Sequence, residues 1–559
     1  MRGDTATIAV LGGGVGGLTA AHELAERGLS VTVYEAADRL GGKAKSHAYR
    51  PTPDVALPAE HGFRYVPGFY RHLRDTLARI PREDGTTVAD HLLGTEETLV
   101  ASVTDSESLK RTQTPTTVDE WMAAIRPSVG DDQLDLREIN YFQRRLLTFL
   151  TSGRLRRRDE LDQVTLWEFL DADNQSRAYR TYLAEVTQAL VAMDPRRASA
   201  RSICRIHVQL VLDQVHPERS TEAIFDGPTS DVWIEPWVEH LRSHGVQFRT
   251  GAPVTAIDTD GKRVTGAVID GTSEPVTADY YVAAVPVEVM AELVSPELVR
   301  AAPTLAGIGR LETAWMNGLQ FYLTEDVPLS YGHQAYVDAP WGLTSISQSQ
   351  FWADGPFELA DCSDEVKGVL SVNVADWETP GVVYGKPATE CTPEEIKTEV
   401  WTQMAEHLNQ EEEEQLTEDL IYDWALDPAI AYDAEEERLT NRAPLLINTV
   451  GSFRHRPPAD THAPNLVLAA DYVRTETDLA TMESANEAGR RAARAILKDI
   501  EAHDLPKVWN LAEPRVCEPL KRFDDVAFRM GLPHPGEIER EMRDGVTARA
   551  NRIAGRLFR

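Results

Sequence analysis

A glycine-rich segment near the N-terminus has the residue types and the spacing needed to bind a dinucleotide. Gly12, Gly14 and Gly17 satisfy the pattern GxGxxG, between the apolar run TIAVL (Thr7–Leu11) and a predicted helix over residues 18–28. The first glycine of such a turn permits a tight bend, the second lets a pyrophosphate approach the backbone, and the third lets the helix pack on the strand. The segment therefore predicts a phosphate-binding turn at the end of a buried parallel strand.

An acidic residue follows where the ribose of a dinucleotide would lie. A second predicted strand, Ser30–Tyr34 (SVTVY), leads directly into Glu35. A carboxylate at the tip of this strand accepts hydrogen bonds from a ribose 2′-hydroxyl and excludes a 2′-phosphate. Strand, glycines, helix, strand and acid in this order are much more specific than GxGxxG alone.

The residues after Glu35 distinguish between the common dinucleotides. Residues 36–43 (AADRLGGK) contain a glycine pair and flanking cations. They resemble the extended FAD fingerprint of the superfamily of FAD-containing amine oxidases and carotenoid (phytoene and ζ-carotene) desaturases. Lys43 stands where this superfamily usually carries Arg, so the charge is kept and the bidentate fork is lost. Besides the residues named above, the resemblance implies FAD contacts from Val15, Gly16, Ala36, Arg39, Gly41, Gly42 and Lys43.

The resemblance places the second part of the cofactor site near the C-terminus. Residues 465–470 (NLVLAA) predict a strand, Asp471 follows it, and a helix is expected from residue 481 (TMESA) through Ile496. In the resembling families the acid meets a ribityl hydroxyl, and the helix N-terminus, here Thr481 and Met482, directs free N–H groups at the flavin C2 carbonyl. Ala470 and Ser484 replace glycines of the family pattern, which predicts a slight displacement of the cofactor.

Three further segments match the same superfamily. Residues 245–248 and 254–257 look like a strand pair in which Val254 clamps adenine, and residues 278–286 resemble the strand that returns under the flavin. Residues 60–70 (EHGFRYVPGFY) look like the glycine-containing segment beside the flavin of plant-type desaturases. The resemblance thereby adds Gly62, Phe63 and Arg64 to the implied FAD contacts.

The order of these motifs predicts an α/β fold with a discontinuous Rossmann-type FAD-binding domain, built on the GxGxxG turn and a parallel sheet. We expect this domain to comprise residues 1–80, 226–300 and 441–500. An inserted α+β substrate domain takes residues 81–225 and 301–440, and a helical tail takes residues 501–559. No cysteine lies near Asp471, so FAD is expected to bind non-covalently.

The predicted chemistry is hydride transfer from a C–H bond to flavin N5, for which no acid or base is obligatory. Flavin amine oxidases typically place a lysine near N5, and the corresponding residues 315–323 (WMNGLQFYL) contain none. This absence and residues 60–70 favour a desaturase or dehydrogenase of an apolar, isoprenoid- or carotenoid-type small molecule, with oxygen or a quinone as the electron acceptor. Amine oxidation, a flavin-dependent isomerase or squalene-type dehydroxylase, and a non-redox prenyl-binding module of this fold are the alternatives.

Two polar side chains beside the predicted flavin are candidates for catalysis. His61 is a candidate general acid or base, because histidine as a residue type suits that role near neutral pH. The alternative is a histidine hydrogen-bonded to backbone. Arg64 could neutralise reduced flavin or form a structural ion pair. The cationic loop at residues 451–458 (GSFRHRPP) could contact FAD or substrate, or be solvated. Apolar helices over residues 178–193 and 203–215 could line an elongated hydrophobic cavity or belong to the core.

The composition limits the environment and the partners. The 559 residues carry 89 Asp and Glu against 57 Lys and Arg, a formal net charge of -32, and only 10 of the basic residues are Lys. An acidic, Lys-poor surface suits a cytoplasm of high salt concentration, where charge repulsion is screened, and predicts a halophilic source. The alternative is an ordinary acidic cytosolic protein. The negative charge argues against nucleic-acid binding.

The cysteines and the hydropathy pattern predict a cytoplasmic protein. Four separated cysteines have no metal-binding spacing and indicate free thiols in a reducing compartment, and no apolar run approaches about 18 residues. A basic helix predicted over residues 547–559 could dock on the acidic body or on an anionic membrane surface. Peripheral contact with the inner membrane face therefore stays open.

Overall fold

The computed structural model describes residues 6–103, 106–110, 135–214, 222–353, 355–409 and 415–537. The basic helix predicted over residues 547–559 lies outside these ranges. Among the described helices, none is long and apolar enough to cross a lipid bilayer.

The regular elements are numbered in chain order. The strands are β1 (Thr7–Leu11), β2 (Ser30–Tyr34), β3 (Ser46–Thr52), β4 (Val55–Glu60), β5 (Tyr65–Pro67), β6 (Leu92–Gly94), β7 (Glu97–Ala101), β8 (Ser106–Lys110), β9 (Glu222–Phe225), β10 (Gln247–Arg249), β11 (Val254–Thr259), β12 (Val264–Ile269), β13 (Tyr280–Ala283), β14 (Glu312–Ala314), β15 (Asn317–Leu323), β16 (His333–Tyr336), β17 (Leu343–Ser347), β18 (Gly368–Val374), β19 (Ile421–Leu426), β20 (Ile430–Asp433), β21 (Arg438–Asn441), β22 (Leu445–Ile447) and β23 (Leu466–Leu468). The helices are α1 (Val15–Ala25), α2 (Arg71–Leu77), α3 (Leu136–Thr151), α4 (Arg154–Asp159), α5 (Leu166–Phe169), α6 (Arg177–Tyr179), α7 (Val186–Val191), α8 (Ala200–Gln214), α9 (Glu235–Ser243), α10 (Val287–Leu293), α11 (Pro296–Ala301), α12 (Ser349–Trp352), α13 (Pro393–Leu408), α14 (Met482–Asp499) and α15 (Glu518–Arg529).

Five short strands form a parallel sheet in the order β10-β2-β1-β13-β23. Their carboxyl ends meet at one edge, where Leu11 lies opposite Tyr34 on one side and Ala283 on the other, and Ala283 lies opposite Leu468. The chain runs from β1 to β2 on one side and returns to β13 on the other, so the strand order reverses at β1. In open α/β sheets, ligands bind outside the carboxyl ends of the strands at such a reversal. This arrangement confirms the predicted α/β fold.

Helices α1 and α14 pack closely against each other beside this sheet, because glycines lie at their contact. A Cβ on Gly16 would overlap the carbonyl oxygen of Ala469, and a Cβ on Gly489 would lie 2.5 Å from the carbonyl oxygen of Gly16. Both helices are thereby held against the end of β23. The N-terminal and C-terminal segments of the chain are joined at the same sheet edge.

A second sheet of seven strands, in the order β19-β15-β18-β17-β16-β7-β8, lies in the inserted part of the chain. Its strands β15, β17 and β18 are completely buried, and Phe321 of β15 packs on Trp401 of α13 with ring centroids 4.9 Å apart. Strands β14 and β22 form a separate antiparallel pair. Helices α3, α5 and α8 pack together in a further apolar core.

Several predicted boundaries are wrong. Helix α1 begins at Val15 rather than at residue 18, because Gly14 serves as its N-cap residue. Residues 245–248 and 254–257 are not paired with each other: β10 joins the parallel sheet beside β2, whereas β11 pairs with β12. The helix predicted over residues 178–193 is interrupted by a π-helical turn, Arg180–Glu185. Helix α14 continues three residues past Ile496.

Because glycines lie at the contact between α1 and α14, we expect one added methyl group there to destabilise the fold strongly. We expect Gly16→Ala to lower the free energy of unfolding by about 1–3 kcal/mol, because the new Cβ cannot be accommodated without moving backbone. Urea unfolding of the cofactor-free protein, followed by circular dichroism, measures this change. Gly309→Ala is the matched control, since a Cβ there meets no atom within 4 Å. Equal midpoints for the two variants would contradict the packing role of Gly16.

Candidate cofactor and active site

Glu35 is held at the end of β2 by the glycine turn itself. The backbone N–H of Gly13 donates to Glu35 Oε2 at 2.7 Å, and the N–H of Ala37 donates to Oε1 at 2.9 Å. A carboxylate has about four lone-pair sites, so two remain for hydroxyl donors. Because Glu35 is only half-buried, those sites are accessible to a ligand.

Gly14 is the position in the turn that leaves room for a ligand. A Cβ on Gly12 would lie 2.6 Å from the carbonyl oxygen of Ala284, and one on Gly17 would overlap the carbonyl oxygen of Gly12. A Cβ on Gly14 would come no closer than 3.8 Å to any protein atom, which is the Cα of Gly42. The fold requires Gly12 and Gly17, whereas the space beside Gly14 is not filled by protein.

The surroundings of that space suit a pyrophosphate. Gly14 is the N-cap residue of α1, and the first turn of this helix contains no acidic side chain. The N–H of Gly41 donates to the carbonyl oxygen of Gly13 at 2.8 Å, so the glycine pair 41–42 lies alongside the turn. Free N–H groups at a helix N-terminus bind anions. The residues present therefore fit the phosphates of a dinucleotide.

Two further segments reach the same edge of the sheet. The N–H of Ala252 donates to the carbonyl oxygen of Glu35 at 2.8 Å, which brings Val254, at the start of β11, beside the β2 end. Asp471 follows shortly after β23 and is half-buried, and no hydrogen bond joins its carboxylate to the described residues. Glu35 and Asp471 thus stand at the same end of one sheet, on opposite sides of β1 and β13.

Helix α14 begins as the sequence predicts, and Glu483 in its first turn fixes the neighbouring segment. Thr481 is the N-cap residue, and its hydroxyl accepts from the N–H of Ser484 at 3.1 Å. The buried Glu483 accepts from the backbone N–H groups of Arg71, His72 and Leu73 at 2.8–2.9 Å. This carboxylate binds the N-terminus of α2 and secures the end of residues 60–70. No local sequence pattern indicates this role.

Lys43 and Arg64 are joined through the backbone. Lys43 Nζ donates to the carbonyl oxygen of Pro444 and lies 3.7 Å from Glu288 Oε1. The Arg64 guanidinium donates to the carbonyl oxygens of Lys43 and Gly62. Burial lowers the pKa of Arg64 from its ordinary value and raises that of the nearby Glu60. Arg64 therefore holds residues 62–64 against the glycine pair.

Two predicted cofactor contacts point elsewhere. Arg39 pairs with Glu235 at 2.5 Å at the protein surface. The side chain of Phe63 is buried in the apolar cluster around Tyr322, with its ring centroid 6.0 Å from that of Tyr65. The Phe63 ring is thus part of the packing beneath residues 60–70.

His61 pairs with a carboxylate that sequence reasoning missed. Its Nδ1 contacts the Asp427 carboxylate, which also accepts from Asn317 Nδ2 at 2.6 Å and from the N–H of Ala429 at 2.9 Å. Burial alone would raise the pKa of Asp427, but the pairing with His61 outweighs it and lowers that pKa. An ionised Asp427 keeps the proton on Nδ1, so the lone pair of Nε2 is available as an acceptor. Nε2 makes no hydrogen bond to the described residues.

The loop at residues 451–458 is not merely a solvated loop. Arg456 is buried, donates to the carbonyl oxygen of Tyr472 at 3.0 Å, and pairs with Asp478 Oδ1 at 2.7 Å. The second oxygen of Asp478 meets Arg201, from α8. Burial would raise the pKa of Asp478, but the two guanidinium groups hold it below its ordinary value. This buried cluster fixes the chain between β23 and α14.

A cavity of about 880 Å³ lies beside the strand pair β14–β22. Met193, Ala314, Trp315 and Ile447 form its apolar part. Charged side chains from α6, the π-helical turn, the segment after α7 and the loops at residues 338 and 376–378 form its rim. Helix α8 takes no part in this wall and packs in the core. Of the two interpretations of residues 203–215, the structure supports core packing, whereas Met193 at the end of residues 178–193 does line the cavity. Lys43 also contacts this strand pair, because its Nζ donates to the carbonyl oxygen of Pro444, which directly precedes β22.

The sequence matches the model of the flavin containing amine oxidoreductase family over residues 15–497. It is 27% identical over 513 residues to a carotenoid phi-ring synthase of Streptomyces griseus, which covers 89% of this chain and 88% of that protein. It is 25% identical over 524 residues to a zeta-carotene desaturase of Synechocystis sp., which covers 88% of this chain and 97% of that protein. Among solved structures, cyclohexylamine oxidase of Brevibacterium oxydans aligns with a TM-score of 0.59 at 15% identity, over 89% of this chain and 100% of that chain. The predicted resemblance is confirmed.

Because the space beside Gly14 is not filled by protein, we expect a side chain added there to leave folding intact and to weaken cofactor binding. We expect Gly14→Ala to keep the unfolding midpoint of the cofactor-free protein, since its Cβ meets no protein atom within 3.4 Å and its φ of -77° suits alanine. Titration of the cofactor-free protein with FAD should show at least tenfold weaker binding. Unchanged affinity would show that no phosphate approaches this backbone.

The Asp478 cluster predicts a loss of stability on substitution and on acidification. Asp478→Asn leaves two buried guanidinium groups without their counter-ion, and we expect a loss of about 3–5 kcal/mol. Because the native pKa is lowered, the carboxylate's contribution is present above the ordinary Asp pKa of about 3.9 and is lost as the pH falls through the native value. Urea unfolding between pH 6 and pH 2 tests both effects.

Asp364→Asn, at an exposed position, is the matched control for this series. It should unfold like the wild type throughout. A pH dependence of Asp478→Asn as steep as that of the wild type would show that the acid-sensitive group lies elsewhere.

Proposed function

The chain belongs to the flavin containing amine oxidoreductase family, and from that premise we propose that it is an FAD-dependent desaturase or dehydrogenase of an apolar, isoprenoid- or carotenoid-type substrate. The observation that carries this proposal is β15. The flavin amine oxidases resembled by this chain place a lysine on the corresponding strand, whereas β15 is a buried strand of sequence NGLQFYL without one. The relatives that match most of the chain and act on carotenoids support the same substrate class.

We propose that FAD is held non-covalently along the carboxyl edge of the parallel sheet. Glu35 would accept from the ribose, the N-terminus of α1 beside Gly14 would take the pyrophosphate, and Asp471 with the start of α14 would hold the ribityl and pyrimidine end. None of the four cysteines lies in the segments that form this cradle. A bound flavin supplies the hydride acceptor for oxidation of a C–H bond.

The protein's own contribution would be positioning and removal of a proton. Desaturation takes a hydride from one carbon and a proton from its neighbour, and the electron pair left behind forms the double bond. We assign the proton to Nε2 of His61, because the ionised Asp427 fixes the other ring nitrogen as a donor. Arg64 is a positioning residue, since it ties residues 62–64 to Lys43. Oxygen or a quinone is the proposed final electron acceptor.

Oxidation of an amine is the second candidate, and the cavity rim favours it. Glu185, Asp338, Asp376 and Glu378 lie among the residues that line the cavity. Carboxylates attract ammonium groups. Arginines from the same rim, including Arg177 and Arg180, oppose this attraction and keep amine oxidation second.

Anaerobic reduction of the bound flavin separates these functions. The purified protein should show a flavin spectrum that bleaches with phytoene or ζ-carotene in detergent micelles and not with putrescine or lysine methyl ester. Fast bleaching by an amine alone would overturn the proposal in favour of amine oxidation. A protein that binds isoprenoids but no flavin would instead be a non-redox binding module, and isomerised or dehydroxylated product without net reduction would indicate the remaining alternative.

His61 is expected to control the rate of bleaching. His61→Asn should slow reduction by a desaturation substrate by about 10²–10⁴-fold, because it removes the proton acceptor. Asp427→Asn should produce a smaller loss, since the imidazole stays but loses its fixed tautomer. Stopped-flow absorbance measures the rates. Exposed His503 provides the control variant His503→Asn, and equal rates for it and His61→Asn would exclude a role for His61.

A further inference from the structure

Helix α15 and its C-cap expose large apolar side chains to solvent, while a charged residue, Asp524, is buried on the side that faces the protein. Leu520, Phe523, Val526 and Met530 lie on one stripe of this helix and its C-cap and are 52%, 63%, 54% and 69% exposed. Helices at a protein surface normally bury such a stripe. We name these four residues the outer stripe of α15.

The opposite side of α15 is anchored by charges. Asp524 is almost completely buried, accepts both from Arg156 Nε at 3.0 Å and from the N–H of Gly153 at 2.8 Å, and so fastens α15 to α4. Lys521 pairs with Glu513 at 2.5 Å. These contacts fix the orientation of the helix, so the outer stripe cannot turn inward without breaking buried ion pairs.

Apolar surface continues from the outer stripe onto α3. Leu147 of α3 is 54% exposed, and a groove of about 510 Å³ separates α3 from Leu520 and Phe523. Tyr141 and Pro535 complete the apolar walls of this groove. Contiguous apolar surface of this kind marks a site of interaction.

The charge around this face is opposite to that of the whole molecule. Residues 136–160 and 515–537 contain eleven Arg and Lys against seven Asp and Glu, in a chain of net charge -32. The exposed arginines Arg144, Arg515, Arg522 and Arg529 border the groove or belong to the α15 segment. An exposed apolar stripe flanked by arginines is the arrangement of helices that lie in the interface of an anionic bilayer.

We propose that the outer stripe of α15, together with Leu147 and the α3 groove, docks this protein on an anionic lipid surface. The side chains of the stripe enter the region between headgroups and acyl chains, and the flanking arginines meet the lipid phosphates. A symmetric contact with a second copy is disfavoured because it would bring the Arg522 and Arg529 side chains of both copies into one interface. The basic C-terminal residues 547–559 are disfavoured as an occupant by the same like-charge repulsion.

Vesicle flotation with the full chain tests this proposal independently of its substrate. We expect binding to vesicles of phosphatidylglycerol and phosphatidylcholine (3:7), with at least tenfold weaker binding to phosphatidylcholine alone. The variant Leu520→Ser, Phe523→Ser, Val526→Ser and Met530→Ser should lose at least tenfold of the binding to anionic vesicles. The variant Arg522→Gln with Arg529→Gln should bind anionic vesicles only as weakly as the wild type binds phosphatidylcholine alone.

The matched control replaces exposed apolar residues outside this face. Val382 and Val383 are each 46% exposed, so Val382→Ser with Val383→Ser should bind vesicles like the wild type. Circular dichroism checks that each variant folds. Hydrogen exchange of the wild type adds a measurement without substitution, because amides of residues 518–530 should become protected when anionic vesicles are added.

Three outcomes would overturn the proposal. The first is wild-type protein that stays unbound to either vesicle type, and the second is a serine variant that binds as tightly as the wild type. The third is light scattering that shows a wild-type dimer which the serine variant dissociates, since the face would then be an interface between copies. Retention of vesicle binding by a catalytically inactive His61→Asn variant separates this proposal from the proposed activity.

Discussion

The close crossing of α1 and α14 at the end of β23 is the contact on which the candidate site depends. Gly16 meets the carbonyl oxygen of Ala469, and Gly489 meets that of Gly16, so two helix backbones pack at a distance that only glycine permits. The first 35 residues carry the glycine turn and Glu35, and the segment after residue 465 carries Asp471 and α14. Together with the pairing of β1, β13 and β23, this crossing fixes the separation of the two halves of the proposed cofactor cradle.

Buried charges secure the segments between these halves. Asp478 lies between Arg201 and Arg456, and Glu483 caps α2, so that each joins parts of the chain more than 20 residues apart. Groups of this kind cost free energy to bury and are strongly destabilising when one partner is removed. They define the position of backbone at the sheet edge more narrowly than apolar packing would. The same principle operates at α15, where the Arg156–Asp524 pair keeps the side of the helix that carries Asp524 inward.

The net charge of the molecule and the arginines around α15 have opposite effects on an anionic partner. A formal charge of -32 repels anionic partners at long range, while the arginines around α15 attract them at short range. A molecule with this distribution would approach an anionic surface in one orientation. Because salt screens both effects, the apolar outer stripe would carry most of the attraction at high ionic strength.

The sequence by itself determined the elements whose signals are local. The TIAVL and SVTVY strands, the GxGxxG turn and Glu35 follow from spacing and residue type within a few positions of one another. Asp471 and the start of α14 are indicated by the resemblance to the superfamily of flavin amine oxidases and carotenoid desaturases. The start of α1 was missed by three residues because Gly14 caps the helix in place of a side chain. Only the tertiary structure decided which distant residues meet: Asp427 with His61, Arg201 with Asp478, and Arg156 with Asp524. Pairings across more than 250 residues leave no local pattern, since they depend on how the sheets and helices pack, and for the same reason the sequence of α15 could not show which side of the helix faces the protein.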